Sequence, residues 1–281
     1  MPTPRSAHAV VATADAIYAI AGTGSDGAPV LVVERFDGAR WSRAGSLPDE
    51  GINAPAAAAI GDDVYLIGGF GTTTNQPLAS VHRFNVRTRQ WSRETPLPAP
   101  RGGHAAVVLD GMIHVIGGGN SVSTIDDHSV FDPRNRRWVN KAPLPRRLGS
   151  PAAVALGGRI VSIGGRSGPS DFGDVYVYDP GTDAWTAGPS IEPRGTAGAV
   201  VVKDAVYLIG GESQARQRVL DSVVRLDPGA TAWAADTPMP TARNFARAVI
   251  FKGAIHVVGG STSYGSSHAS RGAGVVESLR W

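Results

Sequence analysis

The chain has 281 residues, of which 42% are hydrophobic and 18% are charged, a balance that excludes a disordered chain and a coiled coil. Its 27 basic and 24 acidic residues leave a net charge of +3, which is too small to indicate nucleic-acid binding. Cysteine is absent, so disulfides, thiolate zinc sites and a cysteine nucleophile are excluded. The 36 glycines and 20 prolines predict many short strands joined by turns.

The sequence carries no signal for a membrane or for export. No apolar run approaches the roughly 18 residues that a transmembrane helix needs. The segment from Met1 to Arg5 lacks the apolar region of a signal peptide. We therefore expect a cytoplasmic monomer that binds neither membrane nor nucleic acid, or a periplasmic or secreted one if a leader has been removed.

A repeat runs along the whole chain. Its mark is a pair of glycines, and successive copies of the second one lie 46 to 49 residues apart. The second residues of the pairs are Gly22 (in a degenerate Ala-Gly pair), Gly69, Gly118, Gly165, Gly211 and Gly260. Tryptophan recurs in phase with them, at Trp41, Trp91, Trp138, Trp185 and Trp233. Such a period indicates a solenoid, a propeller or an array.

Within one copy the predicted elements follow a fixed order. An apolar strand of small residues, such as 105–109, comes after a Pro-Arg pair, and a tight turn such as 110–111 follows. The next strand ends in the Gly pair, as in 206–211, and a variable loop comes after it. An alternating strand then ends at an acidic turn, as in 175–180, and a short strand carries the Trp. This order predicts a meander of four antiparallel strands.

The repeats predict a single domain, 1–281, that is all-β. Its copies span approximately 1–46, 47–96, 97–143, 144–190, 191–238 and 239–281. Four-stranded sheets that repeat six times bury their faces by closing radially, so we expect a six-bladed β-propeller. In the last copy the third strand, 274–280, directly precedes Trp281, so the outer strand of that blade should be missing. No strand exchange between the two ends is evident.

The Gly pair, the aromatic residue two positions before it in several copies, the Asp-Pro turn and the Trp together resemble the kelch repeat. This resemblance covers essentially the whole chain. It implies a ligand site at one mouth of the central channel. Two sets of positions should line that mouth: the connection into each innermost strand, and the loop after each Gly pair.

The first set carries arginine in five of six copies. The residue after the opening proline or its equivalent is Arg5, Gly51, Arg101, Arg147, Arg194 and Arg243 in chain order. A ring of guanidinium groups would bind an anion. The alternative is that this arginine belongs to the repeat itself and pairs with local carbonyls or acids.

The second set differs from copy to copy, as a site built on a repeated scaffold would. Its members are Thr23, Phe70, Gly119, Arg166, Glu212 and Ser261. Glu212 is the one carboxylate, and Arg216 and Arg218 are its cationic neighbours in sequence. It is predicted to be either a general acid/base among arginines or a loop glutamate paired with a loop arginine.

The predicted ligand-binding set is completed by polar and aromatic residues near these positions. Phe70 and Tyr264 could stack on a sugar ring, and Tyr264 lies with His268 in a long loop, 261–272, that is a candidate lid. The remaining members of the set are Asn53, Asn120 and Asn244.

Glu212 and Arg218 also stand at a spacing that resembles the bacterial N-acetylneuraminate epimerases, which are six-bladed kelch propellers. That resemblance implies anomer interconversion of a sugar acid, with the glutamate moving the proton and the arginine binding the carboxylate. We therefore predict a binder of a small anionic ligand, a sugar acid, with mutarotase or epimerase activity as a further implication. A module that recognises an acidic peptide without catalysis and a scaffold with no ligand stay open as alternatives.

Neither a metal nor a cofactor is predicted. His114 and His256 share a strand position with Tyr18, Tyr65 and Tyr207, so we expect both to pack between blades. His82 and His128 are predicted on third strands, either at the surface or at positions in the strand ladder. Two further histidines, His8 and His104, share one repeat position, and two histidines do not make a metal site.

Overall fold

The computed structural model describes residues 1–265 and 272–280, and within them the fold is all-β. Six antiparallel sheets surround a central axis, and in each the strands follow chain order from the innermost to the outermost. Blades 1 to 5 have four strands, and blade 6 has three within the described residues. The predicted six-bladed propeller is therefore confirmed. No part of the described chain forms a helix that could cross a lipid bilayer.

The strands are short and regular from blade to blade. From innermost to outermost they are Ala9–Ala12, Ile17–Ile20, Val32–Phe36 and Trp41–Ser46 in blade 1; Ala56–Ile60, Asp63–Ile67, Val81–Asn85 and Gln90–Arg93 in blade 2; Ala105–Leu109, Met112–Ile116, His128–Asp132 and Arg137–Lys141 in blade 3; Ala152–Leu156, Arg159–Ile163, Val175–Asp179 and Ala184–Ala187 in blade 4; Gly198–Val202, Ala205–Ile209, Val223–Leu226 and Ala234–Asp236 in blade 5; and Arg247–Phe251, Ala254–Val258 and Val276–Arg280 in blade 6. Three short ribbons pair Ile52–Asn53 with Phe70–Gly71, Arg166–Ser167 with Ser170–Asp171, and Glu212–Ser213 with Arg218–Val219.

The apolar core lies between neighbouring blades. Tyr18 of blade 1 meets Phe84 of blade 2 edge to face, with the ring centroids 6.3 Å apart. Tyr65 and Phe131 repeat this contact between blades 2 and 3 at 6.1 Å. Each blade thus covers a face that its neighbour could not bury alone.

The repeated tryptophans join the blades at their outer strands. Four of the five donate a hydrogen bond from the indole Nε1–H to a backbone carbonyl of the preceding blade: Trp91 to Ser46 (2.8 Å), Trp138 to Thr95 (2.9 Å), Trp185 to Ala142 (2.8 Å) and Trp233 to Pro189 (2.8 Å). The fifth, Trp41, stacks on Phe36 of its own blade. At four interfaces the Trp therefore supplies apolar area and one directed bond. Trp281 lies outside the described residues.

The Gly pairs connect each blade to the next near the axis. The N–H of the second glycine donates to a carbonyl of the following blade, as from Gly69 to Arg101 (2.8 Å) and from Gly118 to Leu148 (2.9 Å). Gly118 has φ of 104°, and a Cβ there would lie 2.9 Å from the carbonyl oxygen of Gly102. The pair is glycine because the backbones approach too closely for a side chain.

Blade 6 joins blade 1 through the same kind of bond, without strand exchange. The N–H of Gly260 donates to the Arg5 carbonyl at 2.9 Å. The N–H of Arg5 donates to the Ala273 carbonyl at 3.3 Å, and the amino group of Met1 donates to the Gly274 carbonyl at 3.1 Å. Closure therefore depends on the first five residues lying along the end of blade 6.

A hydrogen-bonded ring surrounds the axis just before the innermost strands. One residue per blade has a positive φ, between 47° and 61°: Ala7, Ala54, Gly103, Ser150, Thr196 and Phe245. From the second member on, the N–H of each residue donates to the carbonyl of the member before it, over distances of 2.6 to 3.2 Å. Five bonds thus link six blades in sequence.

Four of the opening arginines lie inside the blades, not at the mouth. In blade 6, Arg243 is fully buried and donates from Nη1 to the Gly259 carbonyl (2.8 Å) and from Nη2 to Glu277 (2.8 Å). The other pairs are Arg5 with Glu34 (2.8 Å), Arg101 with Asp127 (2.8 Å), and Arg194 with the Ser222 hydroxyl (3.0 Å) and Glu192 (3.9 Å). The predicted ring of guanidinium groups at the mouth is not formed. These arginines belong to the repeat and pair with local carbonyls and acids, which is the alternative that the sequence left open.

Arg147 does not share this position. The carbonyl that accepts the Gly-pair bond in blade 4 belongs to Leu148, and in blade 2 it belongs to Ile52, so both blades carry a buried aliphatic residue there. Arg147 is exposed and lies 3.9 Å from Asp126. The predicted position in blade 4 is wrong by one residue, because two adjacent arginines, Arg146 and Arg147, precede Leu148 there.

The buried histidines lie between blades. His114 and His256 are 5% and 9% exposed, as predicted, but His128 and His82 are each 2% exposed, so the surface position, one of their two predicted alternatives, is wrong. His114 Nδ1 lies 2.9 Å from His128 Nε2, and the His128 ring packs edge to face on Tyr178. Two imidazoles thus share one enclosed hydrogen bond.

Removing one buried arginine should strongly destabilise the fold. Arg243→Ala leaves Glu277 and three backbone carbonyls without their donor, so we expect a loss of about 3 to 5 kcal/mol in the free energy of unfolding. Arg147→Ala is the matched control and should change it by no more than about 0.5 kcal/mol. Urea denaturation measures both, and equal effects would contradict the structural role of Arg243.

Acidification should destabilise the protein through the histidine pair. Burial lowers the pKa of His114 to about 4 and that of His128 to about 3. The unfolded histidine has a pKa of about 6.5, so the unfolded chain binds protons that the native state excludes. Stability is therefore complete above about pH 6.5 and is lost as the pH falls towards 4, by about 1.4 kcal/mol per pH unit for each histidine.

The variant His114→Tyr tests this assignment, because blades 1, 2 and 5 have tyrosine at the same position. We expect a shallower pH dependence of the urea-unfolding free energy between about pH 7 and pH 5 than in the parent protein. Parallel curves for the two proteins would show that the pair does not titrate in this way.

Candidate functional site

The mouth of the channel is built from six bridged pairs, one in each blade. Each pair joins a residue just before the ring to the residue after the Gly pair: Ser6 to Thr23, Asn53 to Phe70, Gly102 to Gly119, Gly149 to Arg166, Gly195 to Glu212, and Asn244 to Ser261. The second predicted set of mouth residues is thus brought together. The first set is displaced by one residue, which turns the arginines into the blades.

An apolar plug blocks the axis at this level. Phe70 and Phe245 are 8% and 1% exposed and pack with Ala7 and Ala54 of the ring. The mouth is therefore a floored cup and not an open pore. Phe70 was predicted to stack on a ligand, and one side of it does line the cup.

The cup has a volume of about 670 Å³ and lies off-centre, towards blades 3 and 4. Its wall combines uncharged polar side chains, among them Asn75, Asn120, Thr124, Ser150 and Gln214, with several glycines and a few apolar side chains. The one charged residue in that lining is Arg166. Amides, hydroxyls and one guanidinium form a surface that can hydrogen-bond a polyhydroxylated molecule.

Glu212 lies beneath the floor of the cup. It has no exposed surface, and its Oε1 accepts a hydrogen bond from Arg166 Nη1 at 2.6 Å. Its Oε2 accepts from Asn244 Nδ2 at 2.8 Å. The partner of Glu212 is therefore an arginine of the neighbouring blade, not Arg216 or Arg218. The alternative prediction for Glu212, a pair with a loop arginine, therefore names the right type of partner but the wrong arginine.

A second carboxylate, Asp171, stands on the other side of Arg166. The two residues face each other in the short ribbon of blade 4. Asp171 Oδ2 accepts the backbone N–H of Gln214, and burial raises the pKa of the Asp171 carboxyl. Tyr264 donates to Gln214 Oε1 at 2.9 Å. Blades 4, 5 and 6 are thus linked by one polar network.

The other predicted ligand residues have structural partners or point elsewhere. Asn53 accepts the Thr23 hydroxyl at 2.6 Å, and Asn120 lines the cup while its Oδ1 accepts the N–H of Ser123. Arg218 is exposed at the end of the blade 5 ribbon and does not line the cup. His268 and half of the candidate lid, 266–271, lie outside the described residues.

Sequence analysis missed three residues that shape the site. Asp171 and Gln214 lie in loops whose lengths vary among the blades, so no repeat position identifies them, whereas Phe245 is a member of the ring. A weaker signal existed for Phe245, because it follows Asn244 at the position that the other blades fill with Ala, Gly, Ser or Thr. Among the described residues no cluster of three acidic or histidine side chains could hold a metal ion.

Comparison with known proteins agrees with this architecture. A solved protein, YjhT, superposes with a TM-score of 0.84 over 100% of this chain and 96% of that one, at 16% identity, a likeness that shows the fold alone. Alpha-scruin of Limulus polyphemus is 28% identical over 146 residues, which are 47% of this chain and 16% of that protein.

Two further relatives match shorter segments. Kelch-like protein 23 of Homo sapiens is 26% identical over 93 residues, 33% of this chain and 17% of that protein. The F-box/kelch-repeat protein At5g03020 of Arabidopsis thaliana is 38% identical over 82 residues, 28% of this chain and 23% of that protein. The matches span less than a quarter of each of these relatives.

The family model described as the KLHDC2/KLHL20/DRC7 Kelch-repeats domain matches residues 1–143 and 55–260. The two matches together cover most of the chain and include the Gly pairs, the tryptophans and the ring described above. The chain belongs to the kelch-repeat family of β-propeller proteins.

Proposed function

We propose that the cup at the channel mouth binds a small polyhydroxylated ligand with one carboxylate, a sugar acid. The observation that carries the proposal is the position of Arg166. It is the only charged residue in the described lining of a cavity whose other residues are glycines, amide and hydroxyl side chains and a few apolar side chains, Phe70 among them. The cavity volume of about 670 Å³ is in the range of small-molecule sites.

Arg166 is held in place before any ligand arrives. Glu212 fixes Nη1 at 2.6 Å, and the guanidinium carbon lies 5.6 Å from the centre of the Phe245 ring. A guanidinium immobilised in this way loses little rotamer entropy when it binds a carboxylate. Glu212 is thus proposed to be a positioning residue.

We expect the cup to recognise an acid through directed hydrogen bonds more than through long-range electrostatic attraction. Glu212 neutralises much of the Arg166 charge, and Asp171 stands close by, so the cup has no large positive potential. Selectivity for a carboxylate then comes from the direction of the guanidinium N–H groups. We expect an acidic sugar to bind about tenfold more tightly than its neutral counterpart.

The geometry supports binding more strongly than anomer exchange. A general acid/base must come within hydrogen-bond reach of the ring oxygen or the anomeric hydroxyl. Glu212 lies beneath the floor of the cup and has no exposed surface. We therefore propose a binding protein. Mutarotase activity is tested separately, by the rate of anomer exchange in the parent protein and in Glu212→Gln.

An acidic peptide is the second candidate ligand for this mouth. Recognition of such a peptide favours several cations spaced along the site. Within the described lining of the cup, only Arg166 is cationic. Val122 on the rim is 89% exposed and could contact a peptide side chain. The single cation makes the small molecule the better-supported ligand.

Substitution of Arg166 should separate these candidates. We expect N-acetylneuraminate or a uronic acid to raise the melting temperature of the parent protein, and Arg166→Gln to weaken the calorimetric affinity about 10- to 100-fold, since a hydrogen bond to a charged group contributes about 1.5 to 3 kcal/mol. Arg147→Gln, an exposed arginine outside the cup, is the matched control and should leave it unchanged. Binding of an acidic peptide without any response to sugars would refute the proposal.

Glu212→Gln provides a second readout on the same ligand. We expect weaker binding because Arg166 loses its anchor, and no change in the rate of anomer exchange followed by NMR of the anomeric protons. A parent protein that accelerates the exchange, with loss of that acceleration in Glu212→Gln, would instead establish Glu212 as a general acid/base.

A further inference from the structure

A second cavity lies on the axis, on the other side of the hydrogen-bonded ring from the cup. Its volume is about 120 Å³, and innermost-strand residues of all six blades line it. Most of these are alanines, with Pro55 and Pro151 next to the ring. The apolar plug of Phe70 and Phe245 separates this channel cavity from the cup.

One arginine, Arg247, enters this channel, whose other lining residues are mostly small and include one histidine, His104. The other five blades carry alanine or glycine at its position: Ala9, Ala56, Ala105, Ala152 and Gly198. Arg247 belongs to blade 6, and its Nε donates to the His8 carbonyl of blade 1 at 3.1 Å. It therefore crosses the interface at which the propeller closes.

The charge of Arg247 is not balanced by any acid in the described part of the chain. Its one hydrogen bond there uses Nε and a neutral carbonyl, and no salt bridge includes it. The lining of the channel cavity contains no carboxylate. The four buried arginines of the blades, by contrast, each have an acid within 4 Å.

An unbalanced cation in a narrow channel is costly. Burial lowers the pKa of Arg247 to about 10, and desolvation is the whole cause. A guanidinium keeps its proton at neutral pH even so. Because Arg247 is only partly exposed to water, a counter-ion close to it would lower the cost of this charge. The innermost strands are sheet edges, so their unpaired N–H groups also face the axis and add donors for an anion.

We propose that the channel cavity holds a small inorganic anion, of the size of chloride, bound by Arg247 at the junction of blades 6 and 1. The cavity volume excludes a sugar acid, so this site is independent of the ligand proposed for the cup. The anion neutralises the guanidinium that spans the closure and thereby stabilises the ring.

Bromide is the probe for this site because it scatters anomalously. Crystals of the parent protein grown in sodium bromide should show an anomalous peak within hydrogen-bond distance of the Arg247 guanidinium. The absence of a peak there in well-occupied data would overturn the proposal, and this result does not depend on any variant folding.

Stability in solution gives a second, independent test. With sodium 2-morpholinoethanesulfonate setting a constant ionic strength, replacement of this organic anion by chloride should raise the melting temperature in a saturable way, because the sulfonate is too large for the cavity and is not a polyhydroxylated carboxylate. Arg247→Gln should abolish this rise. Arg134→Gln, an exposed arginine outside any ion pair among the described residues, should retain it. An equal rise in Arg247→Gln would show that chloride acts elsewhere.

Discussion

The ring of left-handed residues around the axis is the constraint on which the rest of the structure depends. Five of its six members are not glycine, and Thr196 is β-branched, so the ring holds residues in a conformation that costs each about 1 kcal/mol or more. The hydrogen bonds between consecutive members offset this cost. They also fix the angle at which each blade starts, and hence the direction of every side chain at the mouth.

The ring divides the axis into two compartments with different chemistry. On one side, the variable loops build a cup in which Arg166 is oriented by Glu212. On the other, the innermost strands leave a channel too narrow for an organic ligand, with Arg247 at its closing junction. One fold thus forms two separate cavities of different size, because the plug between them is apolar.

The buried arginines show how the repeat maintains this arrangement. Each guanidinium lies within its own blade, where it satisfies carbonyls that the strands leave unpaired, and Arg5 and Arg243 do this on the two sides of the closure. In blades 2 and 4 an aliphatic side chain fills the same space. The same position of the repeat is thus occupied by a guanidinium in four blades and by an aliphatic side chain in two.

The sequence by itself determined the fold, because the Gly pairs, the tryptophans and the turn residues are local requirements that recur every 46 to 49 residues. It also identified the positions after the Gly pairs as the wall of the mouth, and Glu212 among them. Only the tertiary structure decided that the opening arginines face inward and that Arg166 of the neighbouring blade is the partner of Glu212. The first outcome depends on the angle at which a connection enters its blade. The second depends on a contact between residues 46 positions apart, and a local sequence pattern predicts neither.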